Sequence, residues 1–180
     1  MFSVNERTLL SMFNTFAHSP APVFEATRDA ALEGDAEAQF GLGVHFATDG
    51  AQQNFTEAIG WYHMAADQNH YLAQFNLSQM YALGHGIPKS DAMARMWLRR
   101  AADGGDAGAQ YELAQRCART GLHGAECDGE ESRVEAYKWF TLAGAQVYRD
   151  ALLQSDAAAM RMSREEMIES QRRVAAFVAS

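Results

Sequence analysis

Three side chains near the middle of the chain, Cys117, His123 and Cys127, are of types that bind zinc, which takes thiolates and imidazoles in tetrahedral sets of four. A fourth ligand is missing, and Cys117 falls in an apolar slot that other stretches fill with Phe46 and Tyr81. The spacing therefore favours a buried, unpaired thiol at 117 and an exposed one at 127. The six histidines show no H-E-x-x-H pattern, and His63 and His70 stand too far apart to share one helical face. Gly41-Leu-Gly43 and Gly84-His-Gly86 lack the third glycine of a dinucleotide loop and follow no strand, so they read as packing or turn glycines. The acidic run from Glu126 to Glu131 lacks the alternating oxygen ligands of a calcium loop and is expected to be a solvated loop. Neither G-x-S-x-G nor S-x-x-K occurs. No catalytic residue, metal ligand or cofactor is assigned on these patterns.

What the chain does contain is a repeat. An Ala-Gln pair recurs at 38–39, 73–74 and 109–110, and Trp61, Trp97 and Trp139 follow at spacings of 36 and 42, so the third unit carries an insertion. Each Trp has an Ala three residues before it (Ala58, Ala94, Ala136) and another four after it (Ala65, Ala101, Ala143), which puts all three on one helical face. Boundary chemistry repeats with the same period. A first helix follows Gly34-Asp35, Asn69-His70 and Gly105-Asp106, where Gly or Asn ends the helix before and Asp caps the next. The second unit has the weakest of these caps. A second helix starts at Asn54, Ser90 and Ser132, with Glu57 and Glu135 as capping-box partners three residues on. Each unit is thus a helix A, a loop and a helix B.

Leu42, Leu77 and Leu113 of the A helices, with Phe46, Tyr81 and Cys117 four residues later, should pack on the B helices, and Gly43, Ser78 and Ala114 let the two approach. Upstream, residues 23–33 read as the B helix of a degenerate pair. Its A helix would be capped by Ser3 and Glu6, would bury Leu9, Leu10, Phe13 and Phe16, and would be stopped by the prolines of the loop His18–Pro22. Downstream, residues 147–160 predict one helix. Ser163-Arg-Glu-Glu166 opens a last one that packs through Met167, Ile168, Val174 and Val178, with Glu169 and Arg173 paired on the solvent side. The divisions are 1–34, 35–69, 70–105, 106–145 with its inserted loop, and 146–180 as capping helices.

At this point Ala36-Glu-Ala-Gln39-Phe-Gly-Leu42-Gly43-x-x-Phe46, with Ala58-x-x-Trp61-Tyr62-x-x-Ala65-Ala66, resembles a Sel1-like repeat, a relative of the tetratricopeptide repeat. The second unit matches through Ala73-Gln74, Leu77, Tyr81, Gly84, Gly86, Ala94, Trp97 and Ala101-Ala102, the third through Ala109-Gln110, Leu113, Ala136, Trp139 and Ala143. The third departs from the pattern where Cys117 replaces the aromatic and residues 121–129 enlarge the loop. The resemblance spans roughly residues 30–145. It implies an all-α, right-handed α/α superhelix (solenoid) serving as an adaptor in protein complexes, often in bacteria, with no catalytic residues. Some cysteine-rich relatives are linked to β-lactam binding, but their regular cysteine pairs are missing here, which argues against a hydrolase.

Composition narrows the classes of partner. A net charge of −8 and a pI near 5.2 argue against binding a phosphate backbone. No apolar run approaches the roughly 20 residues that span a bilayer, and Met1–Arg7 lacks the order of a secretory signal. With only two cysteines, a reducing cytoplasmic setting is the expectation. The expected partner is a protein or peptide, neither nucleic acid nor membrane, bound by a monomer or weak homo-oligomer. A self-assembling structural module is the alternative. Phe40, Phe75 and Tyr111, each one residue after the marker Gln, together with Val44, Gln79 and Gln115, form a stripe expected on the concave face by analogy with tetratricopeptide repeats. Aromatics there would anchor an apolar side chain of the partner and the amides would bond its backbone. The competing reading is that these rings fill gaps between neighbouring units.

Overall fold

The computed structural model describes residues 21–48, 54–119 and 129–179, and among them every regular element is an α-helix. In order these are α1 (Ala21–Leu32), α2 (Ala36–Thr48), α3 (Phe55–Asp67), α4 (Tyr71–Leu83), α5 (Asp91–Asp103), α6 (Ala107–Arg119), α7 (Gly129–Ala145), α8 (Ala151–Ala159) and α9 (Arg164–Ala179). The all-α class holds. The expected helix through Leu9, Leu10, Phe13 and Phe16 lies outside the described residues, as do His18, His123 and Cys127. Packing divides the chain into two compact units, Met1–Gly104 and Gly105–Ser180.

In the first unit each helix packs on its sequence neighbour, α1 on α2 through to α4 on α5. The turns follow from backbone chemistry. Gly34 turns the chain at φ 103° and Asp35 Oδ1 accepts the Ala38 N–H at 2.7 Å. Between α3 and α4, Asn69 takes the left-handed conformation at φ 65°, and the weak cap is an imidazole: His70 Nδ1 accepts the Ala73 N–H at 3.3 Å. The Asn54 side chain accepts the Glu57 N–H and donates to the Glu57 carboxylate, and Ser90 Oγ accepts the Met93 N–H. Ala58, Ala65, Ala94 and Ala101 are all buried, as their offsets from the tryptophans require. Gly43 sits so close to α3 that a Cβ there would lie 2.5 Å from the Tyr62 ring.

In the second unit α6 packs on α7, and α7 carries both α8 and α9. Gly105 at φ 97° and Asp106, whose Oδ1 accepts the Ala109 N–H at 2.6 Å, open α6. Three expectations change here. First, α7 begins at Gly129, so Glu130 and Glu131 are helical rather than part of a loop, and Ser132 and Glu135 lie inside the helix rather than at its cap. Buried Ser132 instead donates to the Cys117 carbonyl, and Glu135 accepts from Trp139 Nε1 at 2.9 Å and from Arg173 at 2.7 Å. Second, Cys117 is buried but disulfide-bonded, not the free thiol expected. It lies two residues before the end of α6, where the inserted segment begins, and that segment carries the chain's other cysteine, Cys127.

Third, α9 is rotated from the expected face. Its capping box forms, Ser163 N–H donating to Glu166 at 2.7 Å and Glu166 N–H to Ser163 Oγ at 3.2 Å. Ile168 and Val178, however, are exposed, while Ser170 is completely buried and the Phe177 ring lies 5.5 Å from that of Trp139. Ion pairs fit this rotation: Arg133 of α7 pairs with Glu166 at 2.6 Å, and Arg173 bridges Glu135 and Glu169. The Glu169–Arg173 pair therefore faces α7 rather than solvent.

Helix α8 repeats the register of α4. Gln146, Val147 and Tyr148 reproduce the hydrogen bonds of Gln68, Asn69 and His70 one for one, with Val147 left-handed at φ 57° where Asn69 is at 65°. Ala151 and Ser155 are then buried where Ala73 and Leu77 are, whereas α9 packs on α7.

Candidate partner-binding surface

The marker glutamines are the first surprise, because a buried amide must find partners. Gln39 and Gln74 donate to the carbonyls of Ala31 and Ala66, each at 3.1 Å, so each ties its A helix to the end of the B helix before it. Gln68 Nε2 donates to Gln39 Oε1 at 2.8 Å and to the Gly34 carbonyl, and Gln146 repeats this on Gln110 and Gly105. These amides hold successive pairs in register. The sequence offered them only as period markers. Their recurrence at apolar-flanked positions was the available signal.

The aromatic stripe divides. Phe40 stacks on the His70 ring at 4.7 Å, with His70 Nε2 3.0 Å from the Glu37 carboxylate. Tyr111 is 8% exposed, its ring 5.6 Å from Tyr148, which holds the position of His70, and its hydroxyl donates to Asp150 at 2.5 Å. That bond raises the Tyr111 pKa and lowers that of Asp150. Val44 is buried, whereas Phe40, Phe75, Gln79 and Gln115 are half-buried. The described histidines all lie against aromatic rings: His45 on Phe24, His63 on Trp97, His70 on Phe40 and His85 on Phe55.

One groove in the first unit brings part of the stripe together. It encloses about 380 Å³ between α2 and α4. Val44, Tyr62 and Met80 form its floor, Thr48, Leu83 and His85 its rim, and Asn76 and Gln79 line it with amides. The Tyr62 phenol shares a hydrogen bond with Asn76, and burial pushes its pKa up. Leu83 stands 61% exposed at the rim. In the second unit Tyr111 and Gln115 share a hydrogen bond. Among the described residues no group of three or more His, Cys, Asp or Glu is placed to hold a metal ion.

Antiparallel helix pairs repeating every 35–42 residues, locked by amide clamps, define an α/α repeat protein. Residues 36–70, 72–106 and 107–148 each match the Sel1 repeat, and the chain belongs to that family. Among solved structures, it is 31% identical to a Sel1 repeat protein from Oxalobacter formigenes, with a TM-score of 0.62 over 74% of this chain and 96% of that one. A protective antigen of uropathogenic Escherichia coli strains that displays an SLR fold aligns at a TM-score of 0.70 and 19% identity, over 97% of this chain and 39% of the antigen. A chitin synthase regulator, SKT5, of Malassezia restricta is 37% identical over 97 residues, 52% of this chain but 7% of the regulator. Sel1 repeats are in general protein-interaction scaffolds. No described helix is long and apolar enough to cross a membrane.

Proposed function

We propose that this protein is a non-catalytic adaptor that takes a peptide or partner protein on the face of its A helices. The groove between α2 and α4 carries the reading, because it pairs an apolar floor with amides at its wall. An apolar side chain of the partner enters over Val44, Tyr62 and Met80, and Gln79 bonds its backbone. Half-buried Phe75 extends the contact along α4. Tyr111, held by Tyr148 and Asp150, supports the surface more than it touches the partner. The test is affinity capture with the wild-type chain, identification of the bound protein, and titration of that protein against Leu83→Glu and Gln79→Ala. Binding weakened at least about tenfold with a nearly unchanged melting temperature is the expected result. Equal affinity for all three chains sinks the groove.

Two cysteines point to a cytoplasmic setting, and the family resemblance to a bacterial one. The disulfide at Cys117 pulls against a reducing compartment, since such bonds persist where the surroundings oxidise. Thiol labelling of the protein in intact cells separates the two: labelling of both cysteines supports the cytoplasm, and protection supports export.

A further inference from the structure

Helix α8 carries a face whose counterparts on α2 and α6 are covered. In the register that Gln146-Val147-Tyr148 shares with Gln68-Asn69-His70, Leu152 stands where earlier pairs have Gln39, Gln74 and Gln110. Leu153 stands where they have Phe40, Phe75 and Tyr111. Gln68 closes over Gln39 and His70 over Phe40. In the second unit Gln146 closes over Gln110 and Tyr148 over Tyr111. At α8 the amide and the ring that such a neighbour would engage have become two leucines, and Leu153 is 69% exposed. Beside them, α7 and α9 bound an apolar groove of about 420 Å³ whose walls include Tyr137, Thr141, Val174 and Val178. Val178 is 74% exposed, and Ile168 and Ala175 continue its stripe along α9. Thr141 joins the two features, because its hydroxyl bonds Ser155 of α8 at 2.8 Å while it also lines the groove.

Charge favours a second copy as the occupant. The chain carries a net −8, yet residues 147–180 hold five arginines against five acidic residues. Two copies repel one another through their acidic bodies but not through this neutral end. Exposed Arg164 and Glu165, adjacent at the start of α9, supply both signs, as a self-complementary contact requires. The geometry points to a homodimer interface here: a second copy seats its Leu152 and Leu153 against the α7–α9 groove of the first, and the reverse, about a two-fold axis.

Sedimentation velocity of the full chain from about 1 to 200 µM tests this, with Leu153→Glu plus Val178→Glu as the interface variant. Both side chains are exposed, so the helical circular dichroism and melting curve of the variant should match the wild type at low concentration. Leu83→Glu, on the groove of the first unit, serves as a control that separates this contact from the partner groove. The expected result is a reversible dimer in the micromolar range, weakened about tenfold or more by the double variant and untouched by Leu83→Glu. A wild-type chain that stays monomeric throughout overturns the proposal, as does a dimer indifferent to the double variant or an open-ended oligomer.

Discussion

Two of the three marker tryptophans differ in one hydrogen bond, and the difference is a single side chain. Trp139 Nε1 donates to Glu135, four residues earlier, while buried Trp97 has an Nε1–H with no acceptor among the described residues. The residue four before Trp97 is Met93. An unmade buried hydrogen bond costs about 1–3 kcal/mol. Met93→Glu should recover part of that and also engage the Ser90 cap, as Glu57 engages Asn54. We expect a gain of about 1 kcal/mol, or about 2–4 °C in melting temperature, read by thermal unfolding. A lower melting temperature would mean that the apolar contacts of Met93 outweigh the new bond. Gly43→Ala should act in the opposite direction. Its Cβ would meet the ring of buried Tyr62, which cannot swing away while Asn76 holds its hydroxyl, so overpacking should cost about 1–3 kcal/mol in urea unfolding.

Among the elements, helix starts were legible where a cap was both the right residue and the first in its helix. Asp35, Asn54, Ser90, Asp106 and Ser163 all cap as their chemistry predicts. Ser132 misled because α7 extends three residues further back through Gly129, Glu130 and Glu131, which no local signal marks as helical. The face of α9 was misread because hydrophobicity alone pointed to Ile168 and Val178. Phe177 against Trp139 and ion pairs to Arg133 and Glu135 hold the observed face, and partners on another helix are invisible in a local pattern. The α6 cap has a consequence with pH. Burial raises the Asp106 carboxyl from 3.8 to about 6, since its charged form is poorly solvated. The contribution of the protonated group to stability is therefore complete below about pH 3.8 and lost as pH rises through about 6. Asp106→Asn keeps an oxygen for the Ala109 N–H and removes the charge. It should stabilise the chain by about 1–3 kcal/mol at pH 8 and by much less near pH 4, in urea titrations at the two values. An equal effect at both would show that the buried charge is not the cause.

For the whole molecule, the period was legible because packing reuses the same residue types, Ala-Gln and Ala-x-x-Trp, in each repeat. The register of α8 was not, since Leu152 occupies its Gln position and only backbone geometry reveals it. The stability of a repeat protein is approximately a sum over neighbouring elements, so α9 should stabilise chiefly what it touches. Truncation after Met162 removes Phe177 from the completely buried Trp139, takes Arg173 from Glu135, and takes Glu166 from Arg133. The uncovered aromatic surface should cost about 2–4 kcal/mol, lowering the melting temperature by about 5–15 °C, and should promote aggregation. Phe177→Ala in the full chain isolates the apolar share and should show part of the same loss. If the truncated chain melts with the wild type and stays dispersed, α9 is a docked segment that the stack does not need. If Phe177→Ala alone reproduces the full loss, the ion pairs fix only the rotation of α9, and its hold on the stack rests on one ring against Trp139.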